Sequence, residues 1–215
     1  GLLTQEPFLR PTGTVPGTPS PFPAFVNKGT TQPRLDARVD YDTPDTQEKL
    51  VLAGGISGTE GIIHSGLGPF DIQRGSTLKY GRLTYTRGTM KLQAFVNALD
   101  AEAPLLLLAG IDGRPLTLTV ENQAYDVEFS NLRIIRQQHV LSYGGNYRHN
   151  SFNISMAPRG DSRDEGGAYL QDEIILSKHF RWVVGTRIDV FDVLNRAVMS
   201  PRTAFLVKPS PNQTI

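Results

Sequence analysis

The 215-residue chain contains no cysteine, which excludes a disulfide scaffold, a thiolate metal site and a cysteine nucleophile. It also lacks an excess of charge of either sign, because 22 Lys and Arg residues face 21 Asp and Glu residues. A formal charge of +1 is too small for a protein that binds nucleic acid through bulk charge. The longest apolar run, Leu105 to Ala109, is far shorter than the roughly 20 residues of a membrane-spanning helix. Glycine and proline are abundant instead, with 21 and 15 residues, which favours many turns and an all-β chain.

Prolines cluster at the start of the chain, where seven of the 15 lie within the first 33 residues. Because proline cannot donate to a β-ladder, residues 1–33 are predicted to form one long irregular loop. The other eight prolines are predicted to mark the ends of strands, since the segments between them are rich in β-branched and aromatic residues. Residues 34–215 therefore form the second predicted unit, a meander of strands.

Apolar and polar residues alternate with a period of two in several segments, which is the pattern of a strand with two different faces. In residues 34–42 the odd positions are apolar or Tyr and the even positions are Arg or Asp. Residues 180–190 repeat the pattern, with the even positions apolar except for Thr186. The apolar parity changes near Ser130 and near His149, which predicts a β-bulge at each place.

These patterns predict about nine strands, the start of another, and no helix of ordinary length. The predicted strands cover residues 34–42, 49–64, 76–87, 89–98, 123–136, 138–156, 166–176, 179–191, 199–208 and 213 onward. Short and long connections alternate, and most strands have about 9 to 14 residues, against about 5 to 6 in sandwiches. Such strands, with tight turns at one end, suit a bilayer in which every backbone group must be paired. The predicted fold is therefore an all-β, antiparallel up-and-down meander of about nine or ten long strands, part of a large transmembrane β-barrel.

In a barrel, the apolar face of each strand meets lipid and the polar face meets the lumen. Nine charged residues are therefore predicted to face the lumen: Arg34, Asp36, Arg38, Asp40, Asp126, Glu128, Arg181, Arg187 and Asp189. Three residues beside short turns are predicted to form an aromatic girdle at a membrane interface: Tyr41, Phe180 and Trp182. A soluble β-sandwich, for example a carbohydrate-binding module, would show the same alternation. In that alternative, a second layer would cover Leu35, Val39, Val184 and Ile188.

Four short segments of the C-terminal half carry a family resemblance. They read GAYLQDEI at 167–174, RWVVGTRID at 181–189, SPRTA at 200–204 and KPSPNQT at 208–214. In this order they resemble the β-barrel of TonB-dependent outer-membrane receptors, in which GAYxQDE, GxRxD and SPR strands lead to a KPxPN turn. LSYGGNYR at 141–148 and YGRLTYTRG at 80–88 are similar to earlier strands of that barrel. The resemblance thus covers residues 34–215.

The resemblance implies energised uptake of a bulky, scarce solute across the bacterial outer membrane, such as an iron chelate, cobalamin or a saccharide. It implies three partners: outer-membrane lipid, the plug domain of the full receptor, and the TonB complex. Receptors of this kind have about 22 strands, a plug, a TonB-contacting segment and a terminal aromatic residue, none of which this sequence contains. The chain is therefore expected to be an internal piece that aggregates or needs detergent when alone. A passive porin-like channel would share the barrel and is a further alternative.

No catalytic, cofactor-binding or metal site is predicted, and the chain is not expected to be an enzyme. The four histidines share no metal-binding spacing. Asp161, Asp164 and Glu165 could form a weak calcium site in a loop, although two neighbouring arginines offset their charge. The solute is expected to meet the long connections first, in particular residues 11–33 and 100–122.

Overall fold

The computed structural model describes residues 1–9, 12–14, 19, 21, 24–109, 113–155, 161–194 and 196–209. These residues form a single sheet of twelve strands, one short 3-10 helix (Asp192–Leu194) and no α-helix. None of their helical segments could span a membrane. The strands are β1 (Leu2–Gln5), β2 (Thr30–Thr43), β3 (Glu48–Gly58), β4 (Glu60–Ser65), β5 (Gly68–Ile72), β6 (Thr77–Arg87), β7 (Met90–Ala109), β8 (Pro115–Ile135), β9 (His139–Ile154), β10 (Asp161–Ile175), β11 (Phe180–Phe191) and β12 (Arg196–Val207).

The nine long strands follow one another through the sheet as an antiparallel meander, β2–β3–β6–β7–β8–β9–β10–β11–β12. Each has 11 residues or more, which confirms the predicted all-β meander of long strands. One end of the sheet, the turn end, carries the hairpin connections 44–47, 88–89, 136–138 and 176–179. The opposite end is the loop end.

Several strands run further toward the loop end than the sequence predicts. Residues 100–122, expected to be a loop, mostly belong to the loop-end parts of β7 and β8. These parts pair with each other as far as Ala109 and Pro115. The single strand expected over 49–64 is divided into β3 and β4, and β5 follows where a loop was expected. These extensions form because neighbouring strands supply hydrogen-bond partners, which a residue pattern read along one segment does not reveal.

The β4–β5 hairpin lies in the sheet between β2 and β7, at the loop end of β3 and β6. It pairs with the first residues of β2 on one side and, through Phe70 and Leu105, with β7 on the other. Phe70, Ala103 and Leu105 are buried there and pack with Ile72 and Leu118. This small apolar cluster fixes the loop end of the sheet.

Prolines do not mark the strand ends as strictly as expected. Pro69 and Pro104 lie inside strands, as do Pro33 of the predicted loop and Pro201, which the predicted strand over 199–208 already contains. Pro104 lies between Asp100, the last residue through which β7 pairs with β6, and Leu105, which pairs with β5, and β12 pairs only with β11 along its length. An edge strand, or a gap between two ladder partners, tolerates proline because no backbone donor is needed there.

The two predicted bulges are absent. The ladders of β8 and β9 run in unbroken register past Ser130 and His149, and the register shift of β8 lies against β7 between Leu105 and Ala109. The parity changes because the polar face carries apolar side chains toward the strand ends, for example Phe152, whose ring lies near Arg163.

Two expectations fall partly or wholly outside the described residues. The strand expected from 213 onward lies outside them, as do parts of the predicted 1–33 loop. Within the described part of that loop, β1 pairs with the beginning of β2. The division at residue 33 stays a prediction.

One face of the sheet has no second layer over it. Leu35, Val39, Val184 and Ile188, the residues that a sandwich would cover, are 69%, 63%, 37% and 41% exposed. Every described strand belongs to the same sheet. A soluble β-sandwich is therefore not favoured.

Candidate functional site

Residues that are paired across neighbouring strands form rows through the sheet, and side chains of one row lie on the same face. Two successive rows on the face of Val39 cross all nine long strands without a charged residue. The first row is Val39, Leu52, Leu83, Ala94, Val127, Tyr147, Gly166, Val190 and Ala197, and the second is Tyr41, Leu50, Tyr85, Leu92, Phe129, Gly145, Ala168, Ile188 and Met199. We call this side of the sheet the apolar face.

The opposite side, the polar face, carries the charges at the same height. One row there contains six charged residues out of nine. It consists of Arg38, Ala53, Arg82, Phe95, Asp126, Arg148, Glu165, Phe191 and Arg196. The sheet therefore separates two environments, one without charge and one rich in charge.

Charged residues of the apolar face lie toward its two ends. Those toward the loop end are Lys79, Asp100, Glu102, Glu121 and Asp164, and those toward the turn end are Glu48, Arg87, Arg133 and Asp172. A charge-free band between two charged borders is the distribution that a hydrocarbon layer between two headgroup regions requires.

The strand register places all nine residues predicted to face the lumen on the polar face. Four of them form two ion pairs along β2, with Arg34 Nε 2.6 Å from Asp36 Oδ2 and Arg38 Nε 2.7 Å from Asp40 Oδ2. Both ion pairs therefore join residues of the same strand. Lumen exposure of the nine residues stays a prediction.

A second group of predicted residues lies together on β8 to β11. Arg148 Nε donates to Asp126 Oδ2 at 2.8 Å, and the Arg148 guanidinium lies 6.0 Å from the centre of the Phe95 ring. Arg187 Nη2 lies 2.7 Å from Asp189 Oδ1 and donates to Asn146 Oδ1 at 2.8 Å. A cleft of about 210 Å³ lies between them, and its lining includes Asp126, Glu128, Asn146, Arg148, Tyr169 and Arg187. Arg181 lies apart from this group and pairs with Glu173.

Two glycines allow side chains to reach across an intervening strand. The Tyr80 hydroxyl donates to Asp36 Oδ1 at 2.7 Å across Gly55. A Cβ at Gly55 would lie 2.6 Å from Asp36 Oδ1 and 2.6 Å from Tyr80 Cε1. In the same way, a Cβ at Gly167 would lie 2.5 Å from Arg187 Nη2. Both polar networks therefore depend on the absence of a side chain on the strand between.

The three aromatic residues predicted to form a girdle lie on the apolar face near the turn end. Phe180 packs beside Phe205, with ring centres 6.0 Å apart, and Trp182 Nε1 donates to Thr203 Oγ1 at 2.8 Å. Tyr41 belongs to the second uncharged row and is 61% exposed. A girdle role at a membrane interface stays a prediction.

Sequence reasoning missed Asn146, Arg148 and Tyr169, which complete the charged cleft. Asn146 and Arg148 share the even parity of one face of β9, and they pair with Glu128 and Asp126 of β8. Counting alternate positions along β9 would have found both.

The alternative calcium site does not assemble. Asp161 and Glu165 point to the polar face, whereas Asp164 lies on the apolar face and accepts hydrogen bonds from Tyr147 and His149. No group of three or more metal-binding side chains converges within the described ranges.

Comparison with known proteins gives a fold likeness. No family model and no curated protein matches the sequence. The FrpB iron transporter from Neisseria meningitidis (F3-3 variant) is similar with a TM-score of 0.59 and 16% identity, over 87% of this chain and 36% of that chain. The siderophore receptor PirA from Acinetobacter baumannii is similar with a TM-score of 0.54 and 16% identity, over 85% and 32%. The chain thus spans about a third of each of these structures. The likeness to TonB-dependent outer-membrane receptors is confirmed as a likeness of fold.

Proposed function

We propose that this chain forms part of the barrel wall of a TonB-dependent transporter in the bacterial outer membrane. The observation that carries the proposal is the pair of uncharged, uncovered rows that crosses nine strands. Val39 and Met199, at opposite ends of these rows, are each 63% exposed. Exposed apolar side chains over such an area would drive aggregation in water, whereas in a membrane they contact acyl chains.

On this proposal, the polar face lines the interior of the barrel. A charged wall suits a water-filled or plugged lumen, because its carboxylates and guanidinium groups keep hydrogen-bond partners on neighbouring side chains. The plug domain would contact this wall, and the TonB complex would act through segments that this sequence does not include. The chain would serve transport rather than catalysis.

Further strands complete the wall in this proposal. In the described residues, β12 has no partner on its outer side, and neither has β2 from Leu35 to Thr43. An unpaired edge is not stable within hydrocarbon, because each free N–H or C=O group lacks water there. These edges would therefore pair with strands elsewhere in the complete protein.

The solute that we favour is an iron chelate. The two similar structures are an iron transporter and a siderophore receptor by name. Their likeness to this chain is one of fold, so cobalamin and saccharides stay as competing substrates in the test.

The proposal is tested with the complete protein in its own host. Under iron limitation, we expect it to fractionate with the outer membrane, to migrate differently on gels with and without heating, and to support uptake of radiolabelled ferric chelates. Uptake should disappear when either its gene or that of TonB is deleted. Recovery of the protein in the soluble periplasm would contradict the membrane assignment.

Two further results would replace the substrate or mechanism. Uptake of cobalamin or a saccharide, instead of iron, would overturn the iron-chelate assignment. Uptake of small solutes that persists without TonB would favour the porin-like channel.

A further inference from the structure

The loop end of the polar face carries an apolar patch, which we call the mouth patch. Four successive rows there contain no charged residue on β4 to β9, and by register they continue the face of Phe95 and Asp126. The solvent-accessible side chains of the mouth patch are Ile63, Leu78, Leu99, Leu116, Val120 and Ile154. The polar face is therefore divided into an apolar part at the loop end and a charged part nearer its middle.

Side chains of the mouth patch are exposed. Leu78 and Leu99 are directly paired across β6 and β7 and are 45% and 37% exposed, and Leu116 and Ile63 are 43% and 38% exposed. A continuous exposed patch of this kind indicates a binding surface, whereas single exposed apolar residues are ordinary. Because none of its six side chains can form a hydrogen bond, the group that it binds is apolar.

Three asparagines lie between the mouth patch and the charged row of the polar face. Asn122 follows Leu99 in the row of the patch that is nearest the charges, and Asn97 and Asn150 flank Ala124 in the next row. Asn97 and Asn122 are exposed and Asn150 is half-buried. None of their amide groups forms a hydrogen bond with another described residue. The polar face therefore changes from apolar to neutral polar to charged with distance from the loop end.

We propose that the solute of this transporter is an iron chelate with a fatty acyl chain, whose chain binds the mouth patch and whose head group binds the three asparagines. The inference rests on the proposed function, because the polar face lines a lumen only in a barrel. Amide groups donate and accept hydrogen bonds, so they suit the carbonyl oxygens and N–H groups of a peptide or hydroxamate head group. Along β7 the patch extends from the row of Leu99 to that of Leu105, which is about 20 Å of strand and accommodates an extended acyl chain.

The position of the mouth patch favours the solute over membrane lipid. The patch lies on the face opposite the charge-free band, so it is turned away from hydrocarbon that contacts the band. A molecule that enters the lumen from the loop end meets the patch before it meets the charged row. An acyl chain and a hydrogen-bonding head group in one molecule match the patch and the asparagines together.

The test measures uptake by the complete protein in its own host, with radiolabelled ferric desferrioxamine B and its N-lauroyl derivative as probes. The two probes hold iron in the same way and differ only in the acyl chain. We expect KM for the acylated probe to be lower by about tenfold or more, because burial of a few methylene groups is enough for that factor.

The double variant L78N/L99N should remove this difference, because it places amides on the mouth patch, while uptake of the unacylated probe should continue. If the double variant does not assemble, L116N makes the same test at the other end of the patch. I56N is the matched control, since Ile56 is 40% exposed but lies on the apolar face. It should keep the difference between the probes.

Two results would overturn the inference alone: equal KM values for the two probes, or a difference that persists in both L78N/L99N and L116N. The second result would mean that another part of the protein covers the mouth patch. If neither probe is taken up in a TonB-dependent way, the assignment of iron-chelate transport falls together with this inference.

Discussion

At the scale of single residues, Asp126 is the most buried charge of the polar face, with 8% of its surface exposed. A buried carboxylate has lost most of its water and depends on a cation for compensation. Arg148 supplies that charge at 2.8 Å and is itself held beside the Phe95 ring. Asp40 forms a similar ion pair with Arg38 at the unpaired edge of β2, but in an exposed position. The Asp126–Arg148 ion pair is therefore expected to contribute more to the free energy of unfolding than the Asp40–Arg38 pair.

The variant D126A should destabilise the complete protein by about 2 kcal/mol, because it leaves the partly buried Arg148 without its carboxylate. The matched variant D40A should leave stability unchanged within error, since exposed ion pairs contribute little. Urea-induced unfolding in lipid vesicles measures both. Equal effects of the two substitutions would show that burial does not distinguish them.

At the scale of elements, the β8–β9 hairpin turns through two residues in the left-handed region. Arg136 and Gln137 have φ values of 52° and 57°, and Gln138 N donates to the Ile135 carbonyl oxygen at 3.2 Å. Such a mirror-image turn fits the twist of the flanking strands but favours Asn or Gly at its centre. The β6–β7 turn uses glycine instead, with Gly88 at φ 55°.

Replacing Gln137 with glycine should therefore stabilise the protein by about 0.5 to 1 kcal/mol, because the strain of a side chain at positive φ is removed. The reverse change, G88A, should destabilise it by about 1 kcal/mol. A Cβ at Gly88 would meet no atom within 4 Å. The control therefore measures only the conformational cost of placing a side chain at positive φ. The midpoint of thermal unfolding in detergent is the measurement. A lower midpoint for Q137G would contradict the turn conformation.

Element boundaries also show what the sequence could and could not predict. Alternation alone found the strands from Arg34 and from Phe180, because a period of two is a local property. It does not detect the parts of β7 and β8 near the loop end, since Pro104 and Pro115 predict strand ends there. Those residues are strand because each chain segment completes the other's ladder. The β4–β5 hairpin was missed for the same reason, because its place between β2 and β7 depends on contacts distant in sequence.

At the scale of the whole molecule, the candidate site consists of the polar face and the apolar face of one sheet. All nine residues predicted for the lumen share one face, because their parity within each strand is preserved by continuous ladders. The networks formed on that face could not be predicted. They depend on which strands are neighbours, as where Arg187 of β11 reaches Asn146 of β9 past Gly167.

The two faces give opposite expectations for the same substitution. Ala94 lies in the first uncharged row between Leu83 and Val127, whereas Ala124 lies on the polar face between Asn97 and Asn150, and both are half-buried. Arginine at position 94 would place a charge among acyl chains, which costs about 2 to 4 kcal/mol near the middle of a bilayer. Arginine at position 124 would enter a polar, hydrogen-bonding surface.

In the complete protein, A94R should therefore reduce the folded, heat-modifiable fraction in outer membranes several-fold, while A124R should assemble like the unsubstituted protein. Gel mobility of unheated membrane fractions measures both, with total protein from heated samples as the reference. If A124R fails and A94R assembles, the charge-free rows face the lumen and the assignment of the two faces is reversed. If both assemble equally, position 94 does not contact hydrocarbon and the wall is not embedded at that height.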